Sequence, residues 1–238
     1  MSIRIIKRSP VINNSSLFVL LSVFFLHMTE SLYNGVSSFD KKYLIDFYYA
    51  NKAVIFFSAI TFYSVFTGKK ISKYLLFILT ASISFLQIKI FASNFDKVIL
   101  FLSVFYILTS YFFVVCLASE LNDSCYVPGY NKWDLEKVSH FPLVVRVDDL
   151  RGNVSEGHLT NWNKSGCFLY FDKGNESKRG KVLLNIKAFG REFEHKGEVV
   201  SSYFKGMGVK LTGNVVDQHE VLNWTNLCEI LSDRGYLK

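Results

Sequence analysis

The sequence predicts a chain of two parts: an N-terminal all-α region of four transmembrane helices and a C-terminal all-β region, a six-stranded barrel with a terminal helix. Four long apolar segments crowd the first 118 residues and none follows them. About 20 apolar residues are needed to cross roughly 30 Å of hydrocarbon. After residue 140 the apolar pattern changes to a period of two, which is typical of strands. The predicted boundaries are therefore 1–118 for the membrane region, 119–138 for a linker and 139–238 for the barrel domain.

Each apolar segment is close to the length that a membrane-spanning helix requires. The last carries no charge in 21 positions, which is rare for a buried helix of a water-soluble protein. The first could instead be a cleaved signal peptide, because basic residues precede it. However, the stretch His27–Tyr33 offers no pair of small residues at which cleavage could occur, and this favours retention. The segments are Ser15–Tyr33, Ala50–Thr67, Tyr74–Ala92 and Val98–Ala118.

Basic residues predict the orientation, because Lys and Arg in short loops are retained on the cytoplasmic side. Three precede the first segment and three lie between the second and third. This places both termini in the cytoplasm and the chain in a bacterial inner membrane as a multi-pass protein. Residues 1–118 hold 11 Lys and Arg against 4 Asp and Glu, whereas residues 119–238 hold 16 of each, so the net charge of +7 belongs to the membrane half. The charge therefore indicates contact with the lipid bilayer and argues against a nucleic acid polymer as partner.

The membrane segments contain one pair of ionisable residues that invites a functional interpretation. His27 and Glu30 are three residues apart and share a helical face. They are candidates for sensing protons or a metal, although one His and one Glu make an incomplete metal site. The alternative is that both side chains reach the water interface. The four cysteines form no C-x-x-C pair, which predicts reduced thiols, no metal site and no cofactor.

Six short strands separated by turn-rich pieces predict a small barrel in the C-terminal region. A terminal helix is predicted to begin near Asp217 and Glu220, a pair with the spacing of a capping box. Its docking face would comprise Val221, Trp224, Thr225, Cys228 and Leu231, which recur at helical spacing. The predicted strands are Phe141–Val147, Val154–Thr160, Gly166–Phe171, Lys181–Lys187, Glu192–Tyr203 and Gly206–Leu211.

A short motif between the second and third predicted strands carries the candidate site. It reads Asn161-Trp162-Asn163-Lys164-Ser165-Gly166. Small polar side chains at such a turn can bond to base edges or ribose, Asn tolerates strained turn conformations, and Gly lets another group approach the backbone closely. In this turn the residues of these two kinds include Asn161, Asn163 and Gly166.

This motif on a six-stranded barrel resembles the PilZ domain, whose motif is [Asp/Asn]-x-Ser-x-x-Gly. Here Asn163 occupies the serine position, between Asn161 and Gly166. The stretches Gly197–Val200 and Gly206–Leu211 are also similar to late strands of that family, and the resemblance covers roughly residues 139–232. It implies cyclic di-GMP as the ligand, with Asn161, Asn163 and Gly166 as candidate ligand-binding residues.

The second half of a PilZ site is an R-x-x-x-R pair just before the first strand, and this chain lacks it. Only Lys132 and Lys137 lie there, and Arg146 and Arg151 have another spacing and position. Lysine supplies charge to a phosphate but not the planar fork that bonds bidentately and stacks on purines. Lys132 and Lys137 are thus the remaining candidate phosphate ligands, and we expect the affinity to fall by about an order of magnitude or more.

These observations lead to competing hypotheses, none of them enzymatic. The first is a membrane-anchored cyclic di-GMP receptor, in which the ligand orders the linker. The second is a ligand-independent adaptor tethered to the membrane, whose barrel binds an unknown protein partner. A third makes His27 and Glu30 the sensor and the barrel the output.

Overall fold

The structure is a computed structural model that describes residues 4–129, 143–149, 152–172, 179–203, 205–212 and 223–234. It divides into two compact units. One unit is helical and comprises Ser9–Leu121, and the other joins Met1–Arg8 with Asn122–Lys238 and contains the barrel. The first eight residues therefore group with the barrel, although the sequence places them beside the first apolar segment.

The helical unit contains five helices where the sequence predicts four. Three of them, α1, α4 and α5, are long and apolar enough to cross a membrane. The second predicted segment, Ala50–Thr67, corresponds to α3, which has only 15 residues. The preceding helix α2, which the sequence does not predict, meets α3 at an 80° bend, and the two make a fourth span only if the bent pair is counted as one. The helices are α1 (Pro10–Tyr33), α2 (Lys41–Ala50), α3 (Lys52–Phe66), α4 (Ser72–Asn94) and α5 (Lys97–Asn122).

Local sequence fixes where the long helices begin, and small polar residues line their contacts. The hydroxyl of Ser9 accepts a hydrogen bond from the Ile12 backbone N–H at 3.3 Å, just before a proline that suits the first helical turn. Buried serines lie where helices approach, as at Ser58, whose hydroxyl donates to a carbonyl of α1. Many large apolar side chains point outward, including Phe101 and Tyr111 of α5, which are at least 70% exposed. This arrangement is typical of a helix bundle that faces lipid.

The second unit is a closed antiparallel barrel of six strands, to which a short N-terminal strand is added. Neighbouring strands follow the order β1-β6-β5-β2-β3-β4-β7, and pairing of β6 with β7 closes the barrel. Five of the six predicted strands are confirmed within one or two residues. The remaining one, the first in the chain, is predicted from Phe141 and begins at Val144. Residues 141–142 lie outside the described residues. The strands are β1 (Arg4–Ile5), β2 (Val144–Asp148), β3 (Val154–Trp162), β4 (Gly166–Tyr170), β5 (Gly180–Ala188), β6 (Arg191–Tyr203) and β7 (Gly206–Leu211).

The terminal helix, α6 (Trp224–Asp233), packs on the barrel core through a face that differs in part from the predicted one. Its buried residues are Trp224, Leu227, Cys228 and Leu231, whereas Thr225 is exposed and does not dock. The helix begins at Trp224, after a capping box made by Asn223 and Asn226, and the apolar Leu227 takes the place of the polar Thr225 on the docking face. The predicted start at Asp217 and Glu220, like Val221, lies outside the described residues.

Candidate functional site

The candidate motif forms the turn between β3 and β4. Asn161 lies near the end of β3, and Gly166 is the first residue of β4. The side-chain oxygen of Asn163 accepts hydrogen bonds from the backbone N–H groups of Ser165 and Gly166, at 2.9 and 2.8 Å. A short Asx-type turn of this kind uses the acceptor of the Asn side chain locally. The Asn163 acceptor is therefore committed to shaping the loop.

A segment that follows α5 binds directly to this motif. We call residues 123–129 the docked segment. The carboxylate of Asp123 accepts hydrogen bonds from the Asn163 side-chain amide at 2.6 Å and from the Ser165 hydroxyl at 2.8 and 2.9 Å. The Asn161 side-chain amide donates to the carbonyl oxygen of Val127 at 2.7 Å. Both asparagines of the motif therefore donate to the chain's own docked segment.

The docked segment contacts four neighbouring strands along one row of residues. Asn161, Phe168, Gly208 and Ser201 are successive register partners across β3, β4, β7 and β6. The Ser201 hydroxyl donates to the carbonyl oxygen of Cys125 at one end of the row, and Asn161 bonds to the docked segment at the other. This places the docked segment against the face of the sheet that is turned away from the barrel core.

Burial of β4 on both faces confirms that this outer face is covered. Cys167 and Leu169 belong to the barrel core, whereas Phe168 and Tyr170 form a second buried cluster with Tyr203. A strand with one face in water would alternate buried and exposed residues, but all five residues of β4 are buried. In the docked segment, Cys125 and Tyr126 are buried to the same degree as the core.

Glycines provide the space for this close contact. A Cβ on Gly208 would lie 1.7 Å from the carbonyl oxygen of Cys125, and a Cβ on Gly129 would lie 1.8 Å from the carbonyl oxygen of Thr160. Gly166 is also crowded, with the Val209 carbonyl oxygen 2.7 Å from its hypothetical Cβ. The sequence suggests that Gly166 admits a ligand; in the structure, Cys125 of the docked segment also lies close to it, 3.1 Å from the hypothetical Cβ.

The terminal helix holds the same loop from another side. The indole N–H of Trp224 donates to the backbone carbonyl oxygen of Asn163 at 2.8 Å, and the Cys228 thiol lies 3.8 Å from that oxygen. Burial raises the pKa of the Cys228 thiol to about 11, and it also raises the pKa of Cys167. Both thiols therefore stay protonated at neutral pH, as inert cysteines do. Asn163 thus connects the turn, the docked segment and the terminal helix.

The structure brings three of the five predicted site residues together and adds four that the sequence analysis does not single out. Asn161, Asn163 and Gly166 meet around the docked segment, whereas Lys132 and Lys137 lie outside the described residues. The additional residues are Asp123, Ser165, Ser201 and Gly208. One signal could have indicated a covered outer face: the uninterrupted apolar run of β4, which departs from the alternation expected of a half-buried strand.

The polar pair in the helical unit has separate partners. His27 is 3% exposed, and its Nε2 lies 2.8 Å from the Ser38 carbonyl oxygen, to which it donates. The Glu30 carboxylate accepts two hydrogen bonds from the Asn51 side-chain amide at 3.1 and 3.2 Å. α2 covers His27, because the rings of Tyr43 and Phe47 lie against the imidazole.

Comparison with known protein families finds no match for this chain, and comparison with curated proteins finds none either.

Proposed function

We propose that this chain is a membrane-anchored, PilZ-like signalling protein without catalytic activity, and that its barrel acts as a ligand-independent adaptor. One observation carries the proposal. The amide donors of Asn161 and Asn163, which a nucleotide would need, are both engaged by the docked segment. The motif then serves to fix the barrel to the chain that leaves α5, and the unknown protein partner binds elsewhere on the domain.

The energetic cost of displacing the docked segment supports this choice. A nucleotide would have to replace the hydrogen bonds of Asn163 and Ser165 to the Asp123 carboxylate, and that of Asn161 to Val127. Hydrogen bonds to a charged group contribute about 1.5–3 kcal/mol each and neutral ones about 1 kcal/mol. A loss of about 4 kcal/mol weakens binding by roughly three orders of magnitude. The negative charge of Asp123 would in addition repel phosphate groups.

A second candidate function is a cyclic di-GMP receptor. It is favoured by the same contact between the motif and the docked segment. The docked segment immediately precedes the residues in which such a receptor carries its phosphate ligands, and Lys132 follows Gly129 closely in the chain. In this function the nucleotide would take the place of the docked segment on Asn161 and Asn163. The signal would then be release of the segment that connects α5 to the barrel, which is the reverse of the ordering that the sequence analysis expects.

Localisation follows from the helices and the charges. Three to four helices long and apolar enough to span a membrane indicate a membrane protein. Basic residues precede the first segment and lie between the second and the third. Their positions support a location in a bacterial inner membrane with both termini in the cytoplasm. The barrel would then meet its partner in the cytoplasm.

Titration calorimetry of cyclic di-GMP into the full-length chain in lipid nanodiscs separates the two candidates. The wild type, Asn161→Ala and Asp123→Ala are compared at low and physiological salt. For an adaptor, we expect no heat up to millimolar nucleotide from any of the three. For a receptor, the wild type binds at micromolar concentration or tighter, Asn161→Ala abolishes the heat, and Asp123→Ala tightens binding because the competing segment is released.

Asp233→Ala is the matched control, because it removes an exposed carboxylate at the end of α6 that is remote from the motif in sequence. Its titration should equal that of the wild type. Far-ultraviolet circular dichroism of each variant establishes that the strands remain folded. Micromolar binding by the wild type would overturn the adaptor proposal in favour of the receptor.

A further inference from the structure

The short helix α2 presents three distinct surfaces. Tyr43 and Phe47 pack against His27 of α1, and the two ring contacts with the imidazole measure 5.5 and 4.7 Å between centroids. Lys42 and Asp46, four residues apart, form a charged strip that is exposed. The third surface is apolar and exposed, and is described next. Residues four apart share a face, which separates the three surfaces; Lys41, exposed at the first position of α2, shares the face of Ile45.

The apolar surface of α2 consists of two aliphatic and two aromatic side chains. Leu44, Ile45, Tyr48 and Tyr49 recur at the spacing of one helical face and are 42–69% exposed. Phe39, just before the helix, is 83% exposed. Tyr is enriched where a membrane meets water, since its ring is apolar and its hydroxyl is polar. This composition fits the boundary of a bilayer better than bulk water.

The direction of α2 suits a helix that lies along the membrane surface. It meets α3 at an 80° bend, so when α3 crosses the bilayer, α2 runs close to the membrane plane. α3 has 15 residues and a length of about 22 Å, which is shorter than the roughly 30 Å of hydrocarbon. α3 begins with polar residues, the N-cap Asn51 and the first residue Lys52, and polar side chains of this kind suit a membrane boundary.

Contacts with α1 fix the depth of α2 independently. The Asn34 side chain, at the end of α1, donates to the Tyr43 hydroxyl at 3.1 Å, and Glu30 in the last turn of α1 accepts hydrogen bonds from Asn51. α1 has 24 residues and is about 36 Å long, enough to cross the hydrocarbon with its last turn at the boundary. α2 is therefore level with the end of a spanning helix.

We propose that α2 is an interfacial helix, whose Leu44, Ile45, Tyr48 and Tyr49 insert into the boundary between headgroups and acyl chains. The occupant of this surface is the bilayer itself, because the surface continues the outward apolar side chains of the neighbouring helices, such as Phe56 of α3, which is 69% exposed. Lys42 and Asp46 face the headgroups and water. Interfacial helices of this kind bind by buried apolar area.

Tryptophan quenching by brominated lipids tests the proposal in the full-length chain reconstituted into vesicles. Leu44→Trp and Tyr48→Trp report on the apolar surface, and Tyr111→Trp, mid-way along α5, is the deep reference. Bromine is placed either near the headgroup or near the end of the acyl chain. We expect the headgroup-proximal bromine to quench the first two more strongly, and the chain-end bromine to quench Tyr111→Trp more strongly.

Lys42→Trp and Asp46→Trp are the matched controls on the charged strip, and both should be quenched less than Leu44→Trp by either lipid. The emission of Trp133, Trp162 and Trp224 is measured in the wild-type chain in the same vesicles and subtracted.

Stronger quenching of Leu44→Trp and Tyr48→Trp by the chain-end bromine would overturn the proposal, because α2 would then be part of a span. Absence of quenching by both lipids would also overturn it, because the surface would then be in water or covered by protein. If Leu44→Trp does not fold, Tyr48→Trp with the conservative Tyr49→Trp decides the question.

Discussion

The Ser201 hydroxyl donates a hydrogen bond to the carbonyl oxygen of Cys125, and both residues are fully buried. The backbone of Ser201 also pairs with Ile5 of β1. Two segments that are more than a hundred residues apart therefore meet at one position of β6. One segment precedes α1 and the other follows α5. The barrel unit therefore holds both segments that flank the helical unit.

The segment that contains β1 is attached to β6 by backbone hydrogen bonds and by an ion pair. The Ile6 N–H donates to the Val200 carbonyl oxygen at 2.9 Å, and the Lys7 ammonium lies 2.5 Å from a carboxylate oxygen of Glu198. Lys7 is 59% exposed, so this ion pair contributes little in water. The docked segment makes two buried hydrogen bonds, from Ser124 to the Gly166 carbonyl oxygen and from Ser201 to the Cys125 carbonyl oxygen, and we expect it to be the stronger of the two attachments. Its loss should have the larger effect on the barrel.

Replacing Ser201 tests the buried hydrogen bond to the docked segment. Ser201→Ala leaves the Cys125 carbonyl oxygen buried without this donor, which should lower the free energy of unfolding by about 1–3 kcal/mol. Thermal unfolding of the nanodisc-embedded chain, followed by tryptophan fluorescence, measures the change. Ser202→Ala deletes the same atom from the neighbouring residue on the opposite face of the strand, and we expect a smaller loss. Equal losses in the two variants would contradict a special role for Ser201.

Gly208→Ala tests whether the docked segment needs a glycine beneath it. The new methyl group would overlap the Cys125 carbonyl oxygen, so the segment must move away. We expect faster hydrogen exchange in residues 123–129 and alkylation of Cys125, while the strands keep their protection. Gly157→Ala is the matched control, because its methyl group would meet the Phe171 ring and the Tyr170 backbone instead. If residues 123–129 respond to both changes alike, the contact at Gly208 is not what holds them.

The sequence predicts the barrel well because period-two patterning reports directly on which strand face is buried. It misses β1 because two residues carry no periodicity, and their strand forms only when β6 is there to pair with Ile5. It treats α2 as a loop because Lys41, Lys42 and Asp46 interrupt the apolar run. The 80° bend after Ala50 likewise depends on how α2 packs on α1, which no local pattern contains.

The candidate site is predicted only in part, and the reason is the distance between partners in the chain. The motif is recognisable because a polar turn with Gly166 has a local signature. Asp123 has none: its three hydrogen bonds join residues about 40 positions apart, and an acid in a polar stretch is ordinarily solvated. A tertiary contact therefore decides whether the motif faces a ligand or its own chain.

The buried thiols should be almost unreactive in the folded chain. With a pKa of about 11, only a small fraction of Cys228 is thiolate at pH 7.5, and Cys167 is buried more deeply. We expect iodoacetamide to alkylate both at least about 100-fold more slowly than in the urea-unfolded chain, where the thiol pKa is about 8.5. Mass spectrometry of timed samples measures the rates. Trp224→Ala should accelerate the alkylation of Cys228 more than that of Cys167, because Trp224 and Cys228 both contact the carbonyl oxygen of Asn163. Rapid alkylation of the folded wild type would contradict the burial of α6 on the core.

Burial of His195 predicts a loss of stability in mild acid. Desolvation lowers the pKa of this imidazole below its ordinary value near 6.5. The unfolded chain therefore takes up a proton at a higher pH than the folded chain does. The contribution of His195 is fully present above about pH 6.5 and is lost as the pH falls from there towards the lowered pKa. Unfolding midpoints measured from pH 7.5 to 5 should fall less steeply in His195→Gln than in the wild type. A wild-type slope in His195→Gln would show that other groups produce the acid sensitivity.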